Sequence, residues 1–257
     1  MKQGMAWRLF IFLVIAFLIS PLILVILFSF NTSALTSFPL TGFTLDWYRR
    51  LIANESFWPA LSNSLIIGLT VAVLSVTIGT LAALALVRLK PRHADRLIAL
   101  LAAPMMMPAL IIGIALLVFF KRFLDIPLGL PTVILGHLVI IQPFVIAIIQ
   151  ARLVTFDWSL VESARDLGAS PIQAFLTITL PIIQPTMIGA SLIALSISLD
   201  DFVITFLTIG AGNTLPTMVW GLVRTSLDPT INALATLLLV LSIGSTVLAL
   251  SVSRYRG

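Results

Sequence analysis

"ESARDLGASPIQAFLTITLP", from Glu162 to Pro181, interrupts a chain that is otherwise almost uniformly apolar. Ser159, three residues before Glu162, completes a capping-box pattern, with Ser159 as N-cap and Glu162 reaching back to it. A short helix is expected to follow, with Ala164 small on its surface and Gly168 placed to end it in a left-handed cap. Ser170-Pro171 then restarts the chain as N-cap and first helical residue. Ile172, Phe175, Leu176 and Leu180 recur at three- and four-residue spacing, which makes one apolar stripe on a second helix. Pro181 and Pro185 are expected to end that helix before the next apolar run. The second helix has no Lys or Arg, which disfavours a helix lying on anionic lipid. Docking into a groove of another protein suits two short preformed helices better.

The surroundings explain why such an interruption matters. Of 257 residues, 60% are hydrophobic and only 10% charged, with a mean hydropathy of +1.15. That composition belongs to an integral membrane protein, and no polar block is long enough for a soluble domain. The chain 1–257 therefore reads as a single transmembrane domain. Cysteine is absent, which excludes disulfides and thiolate catalysis. His93 and His137 are too few for most zinc or haem arrangements, so neither a catalytic nor a metal constellation is expected. Six segments are long and apolar enough to cross a bilayer: about 9–30, 62–87, 98–120, 131–150, 185–209 and 232–252. The first follows Lys2 and Arg8 without a cleavage site and reads as an uncleaved anchor.

Lys and Arg in the short loops orient the spans. Lys2, Arg8, Arg88, Lys90, Arg92, Arg96, Arg152, Arg165, Arg254 and Arg256 fall on one side; Arg49, Arg50, Lys121, Arg122 and Arg224 fall on the other. Both termini and the 151–184 loop are thus expected in the cytoplasm. The net charge of +5 is mostly this topology signal and not a nucleic-acid footprint. Trp7, Trp47, Trp58, Trp158 and Trp220 all fall at or beyond span ends, where interfacial anchors belong. Pro104 and Pro108 bracket three methionines in the third span, and Pro143 sits in the fourth, so kinks are expected there.

The costliest residues are Asp200 and Asp201, inside the fifth span. A carboxylate at the bilayer centre costs about 2.5–3.5 kcal/mol, so such residues face protein or a water path. Helical spacing puts Ser198, Asp201 and Thr205 on one face and Ser196 and Asp200 on the next. One aspartate is expected to line a pathway and the other to bond within or between subunits, the alternative being a structural polar pair at a subunit interface. An acidic path favours a cationic solute. Asn63, His137, Gln142 and Asn232 add intramembrane polarity, with His137 expected as a bonded interior histidine. No G-x-x-x-x-G-K-[ST] occurs, so the chain has no phosphate-binding loop of its own.

Glu162-Ser163-Ala164, Gly168, Ile178 and Leu180-Pro181 resemble the E-A-A…G…I-x-L-P loop of permease subunits of binding-protein-dependent ABC importers, with Ser163 replacing the middle alanine. "SLDDFVITFLTIGAGNTLPTMVWGLVRTSLDPTINALATLLL", residues 198–239, and "FTLDWYRRL", residues 43–51, are similar to the second permease of spermidine/putrescine systems. The resemblance implies an all-α, six-helix, type I importer-like fold in the bacterial inner membrane. The first loop helix would be a coupling helix, with Glu162, Ser163, Ala164, Gly168, Ile178, Leu180 and Pro181 as ATPase-coupling residues. It implies no cofactor on this chain, with ATP and Mg on a partner ATPase, and no enzymatic activity here. The implied partners are a homologous second permease, two ATPase subunits and a periplasmic solute-binding protein. Ser198, Asp200, Asp201 and Thr205 are the candidate path residues. Asp46, Arg49, Arg50, Trp220 and Arg224, on short external helices at 43–52 and 215–224, are candidate contacts for the binding protein. The implied solute is putrescine or spermidine. A permease for another amine, an opine, an amino-acid derivative or a metal ion is the alternative, followed by an ion-coupled secondary transporter.

Overall fold

The computed structural model describes residues 4–225 and 228–254; Lys2 and Arg256, which entered the orientation reading, lie outside them. Among the described residues the regular structure is helical, apart from one isolated bridge between Asn31 and Phe43. Three long helices make the core: α3 (Phe57–Leu86), α6 (Leu130–Val154) and α9 (Leu180–Asp200). They join through Ile67 and Val71 of α3, Ile141, Val145 and Ile149 of α6, and Ile183, Ala190 and Ala194 of α9. Glycines let the backbones close. A Cβ on Gly79 would lie 2.7 Å from Val145 Cγ1, and one on Gly68 would lie 2.8 Å from Leu195 Cδ1. The helix α12 (Thr230–Arg254) packs on α9, and α1 (Met5–Ser29) packs along the outside, mainly against α12.

Five helices are long and apolar enough to span a membrane, and a sixth span forms if one bent pair is counted together. That pair replaces the single third span expected at 98–120. The helix α4 (Pro91–Ala102), with a tight 3-10 turn over Ala103–Met106, meets α5 (Ala109–Val118) at a 97° bend. The cause is local. Pro108 excludes Met107 from the helical region, and Met107 is extended at φ −95°, ψ 143°. Pro143, in contrast, is absorbed inside an unbroken α6.

The fifth span needs a larger correction. Pro181 does not stop the second loop helix: α8 (Pro171–Ala174), a π-helical turn over Phe175–Thr179 and α9 form one 30-residue rod, Pro171–Asp200. In the widened turn the Leu180 N–H reaches back five residues to the Phe175 carbonyl. The extra residue relieves the crowding that a proline imposes on the carbonyl four positions before it. Pro185 lies buried within the same rod. The span therefore begins at 171 and ends at Asp200, whereas the sequence reading placed it at 185–209.

Trp47 is also not an interfacial anchor. On the short α2 (Asp46–Ala53) it is 6% exposed, and its Nε1 donates to the Asn31 carbonyl at 2.7 Å. It belongs to a second, smaller core with Leu51, Phe57, Ala60, Leu215, Met218, Ala233 and Leu234. This core sits where α3 and α12 begin and holds both α2 and α11 (Leu215–Thr225) against them.

Candidate coupling helix and solute-path site

The rod Pro171–Asp200 has a functional candidate at each end. At its C-terminus α9 stops at Asp200, Asp201 becomes extended (φ −71°, ψ 116°), and α10 (Val203–Thr208) starts in a new direction. Asp201 Oδ2 accepts from the N–H groups of Ile204 at 3.1 Å and Thr205 at 3.0 Å, and lies 3.2 Å from His137 Nε2. A carboxylate here satisfies donors that an α-helix start leaves unpaired. His137, on α6 and 1% exposed, also bonds Ser198 Oγ through Nδ1 at 2.8 Å and Thr205 Oγ1 through Nε2 at 2.9 Å. One imidazole thus ties the residues before and after the break to a third helix.

The four path candidates separate. Ser198, Asp201 and Thr205 gather around His137, with a void of about 10 Å³ between them, close to the lower limit for one water. Asp200 is exposed on the surface of the chain and borders a cavity of about 320 Å³ with Phe202, Pro216, Val219 and Trp220. Its carboxylate accepts one long bond, 3.4 Å, from Ser242 Oγ. Among the described residues the ion pairs are Arg49–Asp46 and His137–Asp201, so Asp200 has no cationic partner. Ser242 stands twelve positions (242 − 230) into α12, about 18 Å along its axis, so this carboxylate lies deep within the apolar slab. Asn63 and Gln142 are tied to backbone carbonyls of Asn213 and Ser75.

At the other end stands α7 (Ser159–Asp166). The expected capping box does not form. Ser159 is the first helical residue, not the cap. Asp157 Oδ1 accepts instead from Ser159 N–H at 3.0 Å and Ser159 Oγ at 2.7 Å. Those bonds, the hydroxyl first, hold the Asp157 carboxyl below its ordinary range. The aspartate two residues upstream outcompetes Glu162 because an Asx turn needs no long side chain to fold back. Glu162 is left exposed and available, beside a cleft of about 330 Å³ that also involves Arg88 and Arg165.

Gly168 behaves as its position implies. With φ +92° it closes a Schellman cap: Gly168 N–H reaches Arg165 O, and Ala169 N–H reaches Ala164 O. Ser170 and Gln173 form a complete reciprocal box. No residue of α7 is buried, and Leu167 at its tip is 91% exposed. Ser163 is exposed and Ala164 partly so, whereas Ile178 packs on the core and Leu180 is half-buried. The expected apolar stripe splits likewise: Ile172 and Leu176 face outward, and Ala174 and Thr179 are buried in their place.

A free, capped helix outside an apolar bundle agrees with the family comparison. Residues 75–256 match the binding-protein-dependent transport system inner membrane component. The chain belongs to that family. The permease is 36% identical, over 91% of its length and 85% of the relative's, to the putrescine transport system permease protein PotI of Escherichia coli K12. It is 34% identical over 95% of both chains to the spermidine/putrescine transport system permease protein PotC of Haemophilus influenzae. Its fold matches a chain of a bacterial ABC transporter involved in the import of alginate, at TM-score 0.71, 20% identity and 97% and 96% coverage. It also matches a chain of the MetNI methionine ABC transporter, at TM-score 0.60, 19% identity and 79% and 99% coverage. The permease is thus a multi-pass inner-membrane transport subunit and not itself an enzyme.

The external candidates of the permease fall on two helices sharing the smaller core. On α2, Asp46 and Arg49 pair at 3.0 Å in the open, and Arg50 lies over the Trp47 ring at 4.8 Å. On α11, Arg224 lies 5.9 Å from the centre of the Trp220 ring. What the sequence reading missed is the helix break after Asp200 and the role of His137 in fixing it. The signal was present only as a buried histidine and an acidic pair more than sixty residues apart.

Proposed function

We propose that this permease is one half of the membrane path of an ATP-driven importer that moves a polyamine, putrescine or spermidine, from periplasm to cytoplasm by alternating access. The observation that carries the reading is the likeness to putrescine and spermidine/putrescine permeases over nearly the whole chain. The unpaired Asp200 in an apolar wall supports a cationic solute. A path between two pseudo-symmetric halves requires a homologous second permease, and the absent phosphate-binding loop requires separate ATPase subunits that bind ATP and Mg.

In this reading α7 is the coupling helix, at the cytoplasmic face with both termini. Glu162, Ser163 and Leu167 meet the ATPase, Ala164 allows close approach, and Gly168 sets the angle to the rod. Ile178, Leu180 and Pro181 transmit movement from inside the membrane. Asp46, Arg49, Arg50, Trp220 and Arg224 face the periplasmic binding protein. The test is purification of the tagged permease from its native membranes, followed by reconstitution of what co-purifies. The expected result is an ATPase and a second permease, both lost or loosened by Gly168→Asp, and putrescine uptake that requires ATP. A chain that purifies alone and transports on an ion gradient overturns the reading.

A further inference from the structure

The cavity beside Asp200 has a chemical composition that a general cation path does not require. It is lined by one carboxylate, by the aromatic rings of Phe202 and Trp220, and otherwise by apolar walls that include Val219, Val223, Leu238 and Leu239. Its volume of about 320 Å³ holds a small linear molecule. The C-terminus of α9 ends at the same place, so the negative pole of a long helix adds to the carboxylate charge. The Phe202 ring packs beside Phe206 and Trp220, at centroid distances of 5.3 and 5.4 Å, and among the described residues the cation–ring contacts are Arg50 on Trp47 and Arg224 on Trp220, so no side-chain cation covers Phe202.

We infer that this cavity is an alkylammonium site: Asp200 and the α9 terminus receive one primary ammonium, Phe202 covers it, and the valine and leucine walls take the methylene chain. The inference deepens the solute-path reading above and rests on it. The complementarity is specific. A metal ion would need several oxygen ligands, whereas the cavity offers a single carboxylate surrounded by hydrocarbon. A neutral polar solute would leave Asp200 charged and unpaired. A diamine carries two ammonium groups and this chain offers one acid, so the second ammonium is met outside this cavity. Asp201 does not compete, because its Oδ2 is committed to Ile204, Thr205 and His137. His137 is a positioning residue here: by holding Asp201 out of α9 it makes Asp200 the last helical residue.

The test uses the assembled permease–ATPase complex in lipid nanodiscs, without the binding protein, and measures binding of 1,4-diaminobutane, n-butylamine and 1,4-butanediol. Both amines are expected to bind wild type and the diol not to bind. Asp200→Asn should weaken both amines at least tenfold, as loss of the one charge partner in an apolar cavity implies. Asp200→Glu should keep them within about threefold, which separates charge from folding, and Phe202→Leu should weaken them about threefold. Equal binding of the diol, or unchanged amine affinity in Asp200→Asn, overturns the site. If that occurs while wild type still imports diamine with ATP, the permease reading stands and only the site falls. A wild-type complex that neither binds nor imports any amine overturns both.

Discussion

The two ends of the Pro171–Asp200 rod are built on opposite principles. The end at Asp200, outer in the proposed orientation, is closed by the chain itself: His137, Ser198, Asp201 and Thr205 satisfy one another with almost no void. The other end, inner in the proposed orientation, is open: α7 has no fully buried residue, touches the core only through the partly buried Val161, and is shaped by local bonds from Asp157 at the front and the Gly168 turn at the back. Self-satisfied polar groups in an apolar interior fix a geometry, because any alternative leaves one unpaired. A helix held by local end bonds and by little burial keeps its shape while leaving most of its surface to a partner. Variants at the outer end should therefore change the stability of the permease, and variants at the inner end its association.

The largest effect is expected at the outer end. Asp201→Ala removes the acceptor for His137 and for two N–H groups of α10 at once, and should cost about 3 kcal/mol. The unfolding midpoint of the purified permease should fall clearly while Gly168-dependent retention of the ATPase persists in the folded fraction. An unchanged midpoint would break the comparison. Ser198→Ala removes only the Nδ1 partner of His137 and leaves Asp201 in place, so about 1 kcal/mol is expected by the same measurement. A cost as large as that of Asp201→Ala would show that the imidazole, not the carboxylate, holds the break.

The smallest effect belongs to the inner end. Asp157→Ala removes the side-chain acceptor before α7 and should weaken ATPase retention about twofold, with the midpoint unmoved. The pH dependence has a definite sign. Because the folded Asp157 carboxyl is held below its ordinary range, its contribution is complete above that range and is lost as pH falls through the depressed value. Retention should consequently be flat around neutral pH and weaken only in strong acid. A loss of retention near neutrality would show that another group controls the contact.

Much of the inner end was legible because its rules are local. Gly168 needs only a left-handed cap, and Ser170, Pro171 and Gln173 make a box within four residues. Even there a neighbour two positions away changed the outcome, since Asp157 engages Ser159 N–H and Oγ and leaves Trp158 as the cap residue of α7. The outer end was legible only in part. Two aspartates in an apolar run announced a special place, and the shared helical face of Ser198, Asp201 and Thr205 was visible from spacing. The break between α9 and α10 was not, because it depends on His137, which lies 64 positions before Asp201 (201 − 137) and meets it only through packing of α6 on α9. The expected kink forms at Pro108, whereas the expected stop at Pro181 does not, for one reason. Their effect depends on whether the neighbouring backbone can relax, as it does around Pro181, or is driven extended, as at Met107 before Pro108.

The π-helical turn at Phe175–Thr179 changes how the rod keeps phase. Each residue advances an α-helix by about 100°, so one additional residue absorbed without lengthening turns everything beyond it by that angle. The compass bearing of Asp200 relative to α7 is therefore set inside those five residues, close to the end of the rod that α7 adjoins. If the turn tightened into ordinary α-helix, the rod would swivel about its axis rather than tilt, and the carboxylate at its far tip would sweep from one wall of the path to the next.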